Sequence, residues 1–304
     1  MALDINQLNA TTKRFYLKQM IDNIFASNAL MQRWKSNGVY STQDGGSQIY
    51  VPVAYATTTA AGSYSGSQTL DTADNEQFTA AVFNWVYYWA NITILRSDEL
   101  KNSGISQAVD LLKSKIEIAE KSLKSVMGTD IFNTGTDTTK IVGLRAAVLA
   151  SGTYGGIARA SNSWWNATAL TTTTLSIPAL RGLCGDVTID NSKPTVHITT
   201  QDQFDKFYGL LQPQQRFADE KANGGFTHIM FEGKPVIVDS HCPSGYWFAL
   251  NEEYIKMQAH SDENFRFEPF QKPVNQNVSY AKIFWSGALI VNNPRMQGVF
   301  TSLT

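Results

Sequence analysis

Between Ile105 and Met127 an apolar residue returns every three or four positions: Ile105, Ala108, Val109, Leu112, Ile116, Ala119, Leu123 and Val126. That period predicts one long amphipathic helix, with Ser103 as its cap, Gly128 as its stop and a length of about 35 Å at 1.5 Å per residue. A helix of this size serves as the spine of a domain. Its polar side carries Lys113, Lys115, Lys121 and Lys124 against Asp110, Glu117 and Glu120, and the Glu117–Lys121 and Glu120–Lys124 spacings suit ion pairs along a solvated face.

Upstream the chemistry is that of β-structure. Gln48 to Tyr55 and Phe78 to Leu95 are rich in β-branched and aromatic residues and read as two long strands. Residues 56–76, mostly Thr, Ser, Ala and Gly, have too little apolar content to pack alone. The pattern is a long hairpin with a polar tip. Strands of about ten residues would reach roughly 33 Å, too far to pack wholly on their own domain. Before the hairpin, Phe15, Met20, Ile21, Ile24 and Phe25 give one face of a helix in a polar arm.

Downstream of the long helix, Gly152 to Gly156 marks sharp turns. A short helix after Leu175, a strand at 195–199, a helix at 201–211 and a hairpin of 229–231 with 235–238 follow. The stretches 266–270 and 280–291 read as further strands, so the class is mixed α+β.

Composition excludes several functions. The chain has 304 residues, 43% of them hydrophobic, which is enough to bury a sizeable core. Its 25 Lys and Arg against 26 Asp and Glu leave a formal charge of −1, without the footprint of a nucleic-acid-gripping surface. Two cysteines, Cys184 and Cys242, fit a reducing cytoplasm and cannot build a disulfide framework. The apolar run between Phe15 and Leu30 is broken by Lys18, Gln19, Asp22 and Asn23, so neither a signal peptide nor a membrane span is expected.

Catalytic constellations are scarce. His197, His228, His241 and His260 show no compact metal-ligand spacing, and no cofactor motif is present. Asp239-Ser240-His241-Cys242 collects acid, nucleophile and base, but neighbours on an extended chain point to opposite faces and do not form a triad. The run Trp85 to Trp89 reads as core packing and not as a base-stacking platform, since no Lys or Arg occurs between Lys35 and Arg96.

The order of arm helix, hairpin with polar tip, spine helix, Tyr154-Gly155-Gly156-Ile157 with Arg159 and a mixed α+β segment resembles the major capsid proteins of tailed bacteriophages, the Hong Kong 97-like fold also used by herpesvirus shells and encapsulins. Tyr50-Val51-Pro52-Val53 entering the hairpin, Tyr87-Tyr88-Trp89 leaving it, Gly224-Gly225-Phe226, Leu250-Asn251-Glu252-Glu253-Tyr254-Ile255 and Asn293-Pro294-Arg295-Met296-Gln297 carry the likeness.

The resemblance implies an N-terminal arm (1–40), an extended hairpin or E-loop (41–77), a P-domain on the spine helix (78–171 and 256–291) and an A-domain (172–255 and 292–304). It implies a structural protein without catalysis or cofactor, self-assembling into hexamers and pentamers of an icosahedral head that encloses double-stranded DNA without reading its sequence. Residence in the virion, assembly in the host cytoplasm, a portal and a separate scaffolding protein are the matching expectations. The scaffold is expected because the arm is reached within the first forty residues. Tyr55, Tyr64, Leu70 and Phe78 are expected to anchor the hairpin on a neighbour, and Phe15, Met20 and Ile24 to dock the arm. Some relatives lock their shells through an E-loop lysine, a route closed here because no lysine occurs from Ser36 to Leu100. The alternatives are an encapsulin-like compartment shell or, in another class, a cytoplasmic hydrolase using His241 or Cys242.

Overall fold

The structure, a computed structural model, describes residues 28–101, 105–172, 174–211 and 229–304. The first half of the chain runs through α1 (Ala29–Ser36), β1 (Tyr40–Gln43), β2 (Ile49–Ala54), β3 (Phe78–Phe83), β4 (Val86–Leu95), α2 (Arg96–Lys101) and α3 (Ile105–Asp130). Next come α4 (Leu144–Ala147), β5 (Thr153–Tyr154), β6 (Ile157–Ala158), β7 (Thr168–Thr171), α5 (Ile177–Asp186), β8 (Val196–Thr199) and α6 (Gln201–Leu211). The rest is mainly strand, interrupted by short 3-10 turns: β9 (Ile229–Phe231), β10 (Lys234–Val238), β11 (Trp247–Leu250), β12 (Ile255–His260), β13 (Arg266–Gln271), β14 (Val278–Val291) and β15 (Gly298–Thr301).

Two larger sheets organise these elements. In the first, the 14-residue β14 pairs with β4, β12 and β13, and β1 adds in parallel to β12. The spine helix α3 lies on this sheet, setting Ile116, Ala119, Leu123 and Met127 against the inward residues of β4, among them Tyr88, Ala90, Ile92 and Ile94. The second sheet has the order β7-β15-β11-β8-β10-β9. Against it α5 and α6 build a separate core from Leu180, Leu183, Phe204, Phe207, Phe231, Trp247 and Phe300.

Three expectations change. The stretch Phe78 to Leu95 is not one strand: it breaks at Asn84-Trp85, so β3 pairs with β2 and β4 leaves for the first sheet. The paired hairpin is six residues long, or about 20 Å, and residues 55–77 form an irregular tip. Second, α3 does not stop at Gly128 but continues to Asp130. Glycine is there for proximity, since a Cβ at this position would meet the His241 ring at 2.8 Å. Third, Val126 faces out, 46% exposed, and Met127 takes the buried position that the i, i+4 spacing from Leu123 demands. Along the same helix Glu117 pairs back to Lys113 at 4.0 Å instead of forward to Lys121, and Glu120 is turned inward.

The elements at 201–211 and 229–238 and the strands near 196–199, 266–271 and 278–291 agree with the sequence pattern. Gly155 and Gly156, at φ +58° and +77°, close the tight β5–β6 turn. Gly155 also sits where a Cβ would strike Ala81 and Phe83 at 3.0 Å, and its carbonyl accepts the Val82 N–H at 2.9 Å. This small turn therefore props the root of the hairpin.

Arg159 sits just behind it, 1% exposed and without a carboxylate partner among the described residues. Its guanidinium donates to the carbonyls of Trp165 (3.3 Å), Ala146 and Ser151 (both 3.1 Å) and Ala147 (2.5 Å). The carbonyls of Ala146 and Ala147 at the end of the one-turn α4, and those of Ser151 and Trp165 beyond it, thus acquire a donor, and the charge is dispersed over backbone dipoles.

Candidate assembly interface

The β2–β3 ribbon is apolar on both faces. Ile49, Val51 and Val53 with Ala81 and Phe83 form the inner face and are buried or half-buried on the chain's own body. The register places Tyr50, Pro52 and Ala54 opposite Val82, Ala80 and Phe78 on the outer face. Apart from half-buried Val82 that face is exposed: Tyr50 is 61% and Phe78 72% exposed, and Pro52, Ala54 and Ala80 are exposed with them. Period-two alternation normally pairs one apolar face with one polar face, so two apolar faces leave one in need of a partner.

The anchors expected from sequence fall in different places. Phe78 stands on the outer face, and Tyr64 and Leu70 are exposed in the tip. Tyr55 does not protrude; half-buried, it stacks on Trp164 of its own chain, with ring centroids 5.1 Å apart and planes at 18°. Phe15, Met20 and Ile24 lie outside the described residues. The tip carries Asp71, Asp74 and Glu76, all exposed and without a cation partner among the described residues.

A second exposed apolar surface escaped the sequence reading. Residues of β4 alternate strictly, so Val86, Tyr88, Ala90, Ile92 and Ile94 face α3 while Tyr87, Trp89 and Leu95 face outward. The aromatic run is thus half core and half surface, and its alternation was the available signal. Lys282 and Arg266 reach this outer face from β14 and β13, supplying the basic neighbours that the local sequence lacks. Both cations lie over aromatic rings of β14, Lys282 over Tyr280 and Arg266 over Phe284, and Arg266 also pairs with Glu263 at 3.1 Å.

The catalytic candidates do not assemble. A turn after β10 does bring Asp239, Ser240 and His241 together, contrary to the extended-chain expectation. Yet Asp239 Oδ1 (3.4 Å) and Ser240 Oγ (3.5 Å) both approach the same ring nitrogen, Nδ1, whereas a triad requires one on each nitrogen. The Cys242 thiol is buried, and burial together with Asp239 pushes its pKa far up, which removes the thiolate a nucleophile needs. His197 is enclosed by Phe231 and Trp247, accepts the Trp247 indole N–H at 3.3 Å, and is pushed down to about 4 by burial. Among the described residues no group of three His, Cys, Asp or Glu could hold a metal ion.

No family model and no curated protein matches the sequence. Solved structures match it over nearly the whole chain. A subunit of the cyanophage A-1(L) capsid aligns with a TM-score of 0.63 at 14% identity, covering 87% of this chain and 90% of that one. The encapsulin of Synechococcus elongatus aligns at 0.59 and 12% identity, covering 89% and 87%. A chain of the satellite phage P4 procapsid, solved with its size determination protein, aligns at 0.53 and 10% identity, covering 98% and 96%. These are shell components, not enzymes, and identities this low speak for architecture. The chain has the α+β Hong Kong 97-like fold on which phage capsids and encapsulin shells are built.

Proposed function

We propose that this protein is the major capsid protein of a tailed phage, self-assembling into the hexamers and pentamers of an icosahedral head around double-stranded DNA. The observation that carries the reading is the β2–β3 ribbon with its outer face of Tyr50, Pro52, Ala54 and Phe78 left bare. A closed symmetric shell covers such a face at every subunit. The proposed P-domain, 78–171 and 256–291, holds α3 and the first sheet apart from β1. The proposed A-domain, 172–255 and 292–304, holds the second sheet apart from β7. Of the proposed arm, 1–40, the part containing α1 is fixed to the body through buried Leu30, Met31 and Trp34 and the Arg33–Glu252 ion pair at 2.7 Å. A separate scaffolding protein and a portal complete the proposed assembly, and the near-neutral charge suits a container that must not bind the DNA it holds.

Replacing Leu70 and Tyr64 together by Asp should leave a folded subunit that assembles poorly, read by circular dichroism and by electron microscopy of the particles. Normal shells from that variant would refute the hairpin's role. The encapsulin match supports a second reading, a compartment shell around an enzyme cargo. Purified particles decide between them: nuclease-protected double-stranded DNA supports the head, and a co-purifying enzyme supports the compartment.

A further inference from the structure

At the root of the hairpin lies a cavity of about 240 Å³, walled by Pro52, Val53, Tyr55, Trp164, Asn292 and Arg295 among others. Its chemistry is divided. Tyr55, Val53 and Trp164 make an apolar wall that the Tyr55–Trp164 stack holds rigid. Opposite, Arg295 is exposed and has no carboxylate partner among the described residues. Asn292 leaves its buried amide oxygen without a donor. A matching ligand brings one apolar side chain, a carboxylate and a backbone N–H.

One segment of this chain has that composition. In the tip, Leu70 is followed by Asp71, Asp74 and Glu76, all exposed, and no Lys or Arg occurs anywhere between Lys35 and Arg96. Resting on the shell reading above, we infer that the cavity at the hairpin root is the seat for segment 70–76 of a second copy's hairpin tip. Leu70 enters against Tyr55 and Trp164, and the carboxylate of Asp71 or Asp74 pairs with Arg295. Each subunit then offers a tip and a seat, a heterologous contact that closes into rings and repeats at every position. Complementary charge at such a contact fixes the register and suppresses wrong pairings.

The test uses assembled shells of the full chain, with the photoreactive amino acid benzoylphenylalanine at position 293 in place of Asn293, followed by peptide mapping of the intersubunit crosslink. Capture of a peptide containing residues 70–76 is the expected result. Capture of any other segment, residues 1–27 included, or no intersubunit crosslink from normal shells, overturns the seat while leaving the shell reading intact. A charge exchange guards against disruption by the probe itself. Arg295→Glu should lower shell yield by at least about tenfold, because the defect recurs at every subunit, and adding Asp71→Lys and Asp74→Lys should restore much of it. Equal yields with and without the compensating lysines would also overturn the seat. If the unmodified chain forms no particles with or without its scaffold, the shell reading itself fails, and the seat with it.

Discussion

Replacing Gly128 by alanine should destabilise this protein, although alanine is the better helix former. In an unobstructed helix interior the exchange stabilises by about 0.5–1 kcal/mol, because glycine loses more backbone freedom on folding. Here the new Cβ would lie 2.8 Å from two atoms of the His241 ring and 2.9 Å from a third, Cγ, which cannot swing away without moving the whole side chain. Asp239 also restrains the ring, since its Oδ1 accepts the His241 backbone N–H at 2.9 Å and approaches Nδ1 at 3.4 Å. Overpacking of this kind costs about 1–3 kcal/mol, so it outweighs the propensity gain. Removing the ring should reverse the sign: in a His241→Ala background, Gly128→Ala should stabilise. The assay is urea unfolding of unassembled subunits for the four members of the cycle, with the midpoints compared at constant slope. A coupling energy of about 1–3 kcal/mol is expected, because the propensity gain is common to both backgrounds and cancels. An equal stabilisation by Gly128→Ala in both backgrounds would show that the ring does not occupy the notch, and that the second-sheet turn and the spine helix do not meet there.

Other perturbations follow from buried polar groups. Arg159→Met keeps the bulk but leaves carbonyls of Ala146, Ala147, Ser151 and Trp165 without this donor, and should destabilise by about 3–5 kcal/mol in the same urea assay; a loss under ~1 kcal/mol would mean that water replaces the guanidinium. His197 is neutral in the folded chain and held to about 4, below its ordinary value near 6.5, so the unfolded state binds the proton first as pH falls. Stability from this group is complete above about pH 6.5 and declines by about 3 kcal/mol down to about pH 4, and His197→Gln should flatten that slope; an unchanged slope would assign the acid sensitivity elsewhere.

Much of this architecture is legible in the residues themselves. The spine helix announces itself through Ile116, Ala119 and Leu123, because one face against one sheet imposes a single period. The turn at Glu232-Gly233 is equally plain, with both residues at positive φ between short apolar strands. What stayed hidden depends on contacts distant in sequence. Gly128 reads as a helix stop until His241, from another sheet, is seen against it. Phe78 to Leu95 reads as one strand because the break at Asn84-Trp85 has no glycine or proline to mark it; the partners of β3 and β4 differ, and those partners lie far along the chain. The candidate interface is the converse case. Tyr64, Leu70 and Phe78 stood out as large apolar side chains with no domain to enter, whereas Tyr50, Tyr87 and Trp89 were concealed by strand chemistry that does not say which face is covered.

Whether this chain builds a closed shell is decided by negative-stain electron microscopy with size-exclusion chromatography of the purified protein, alone and with a candidate scaffolding protein. Rings or closed particles of uniform size eluting far ahead of a 33.7 kDa monomer are expected. A persistent monomer in both samples would contradict the shell reading.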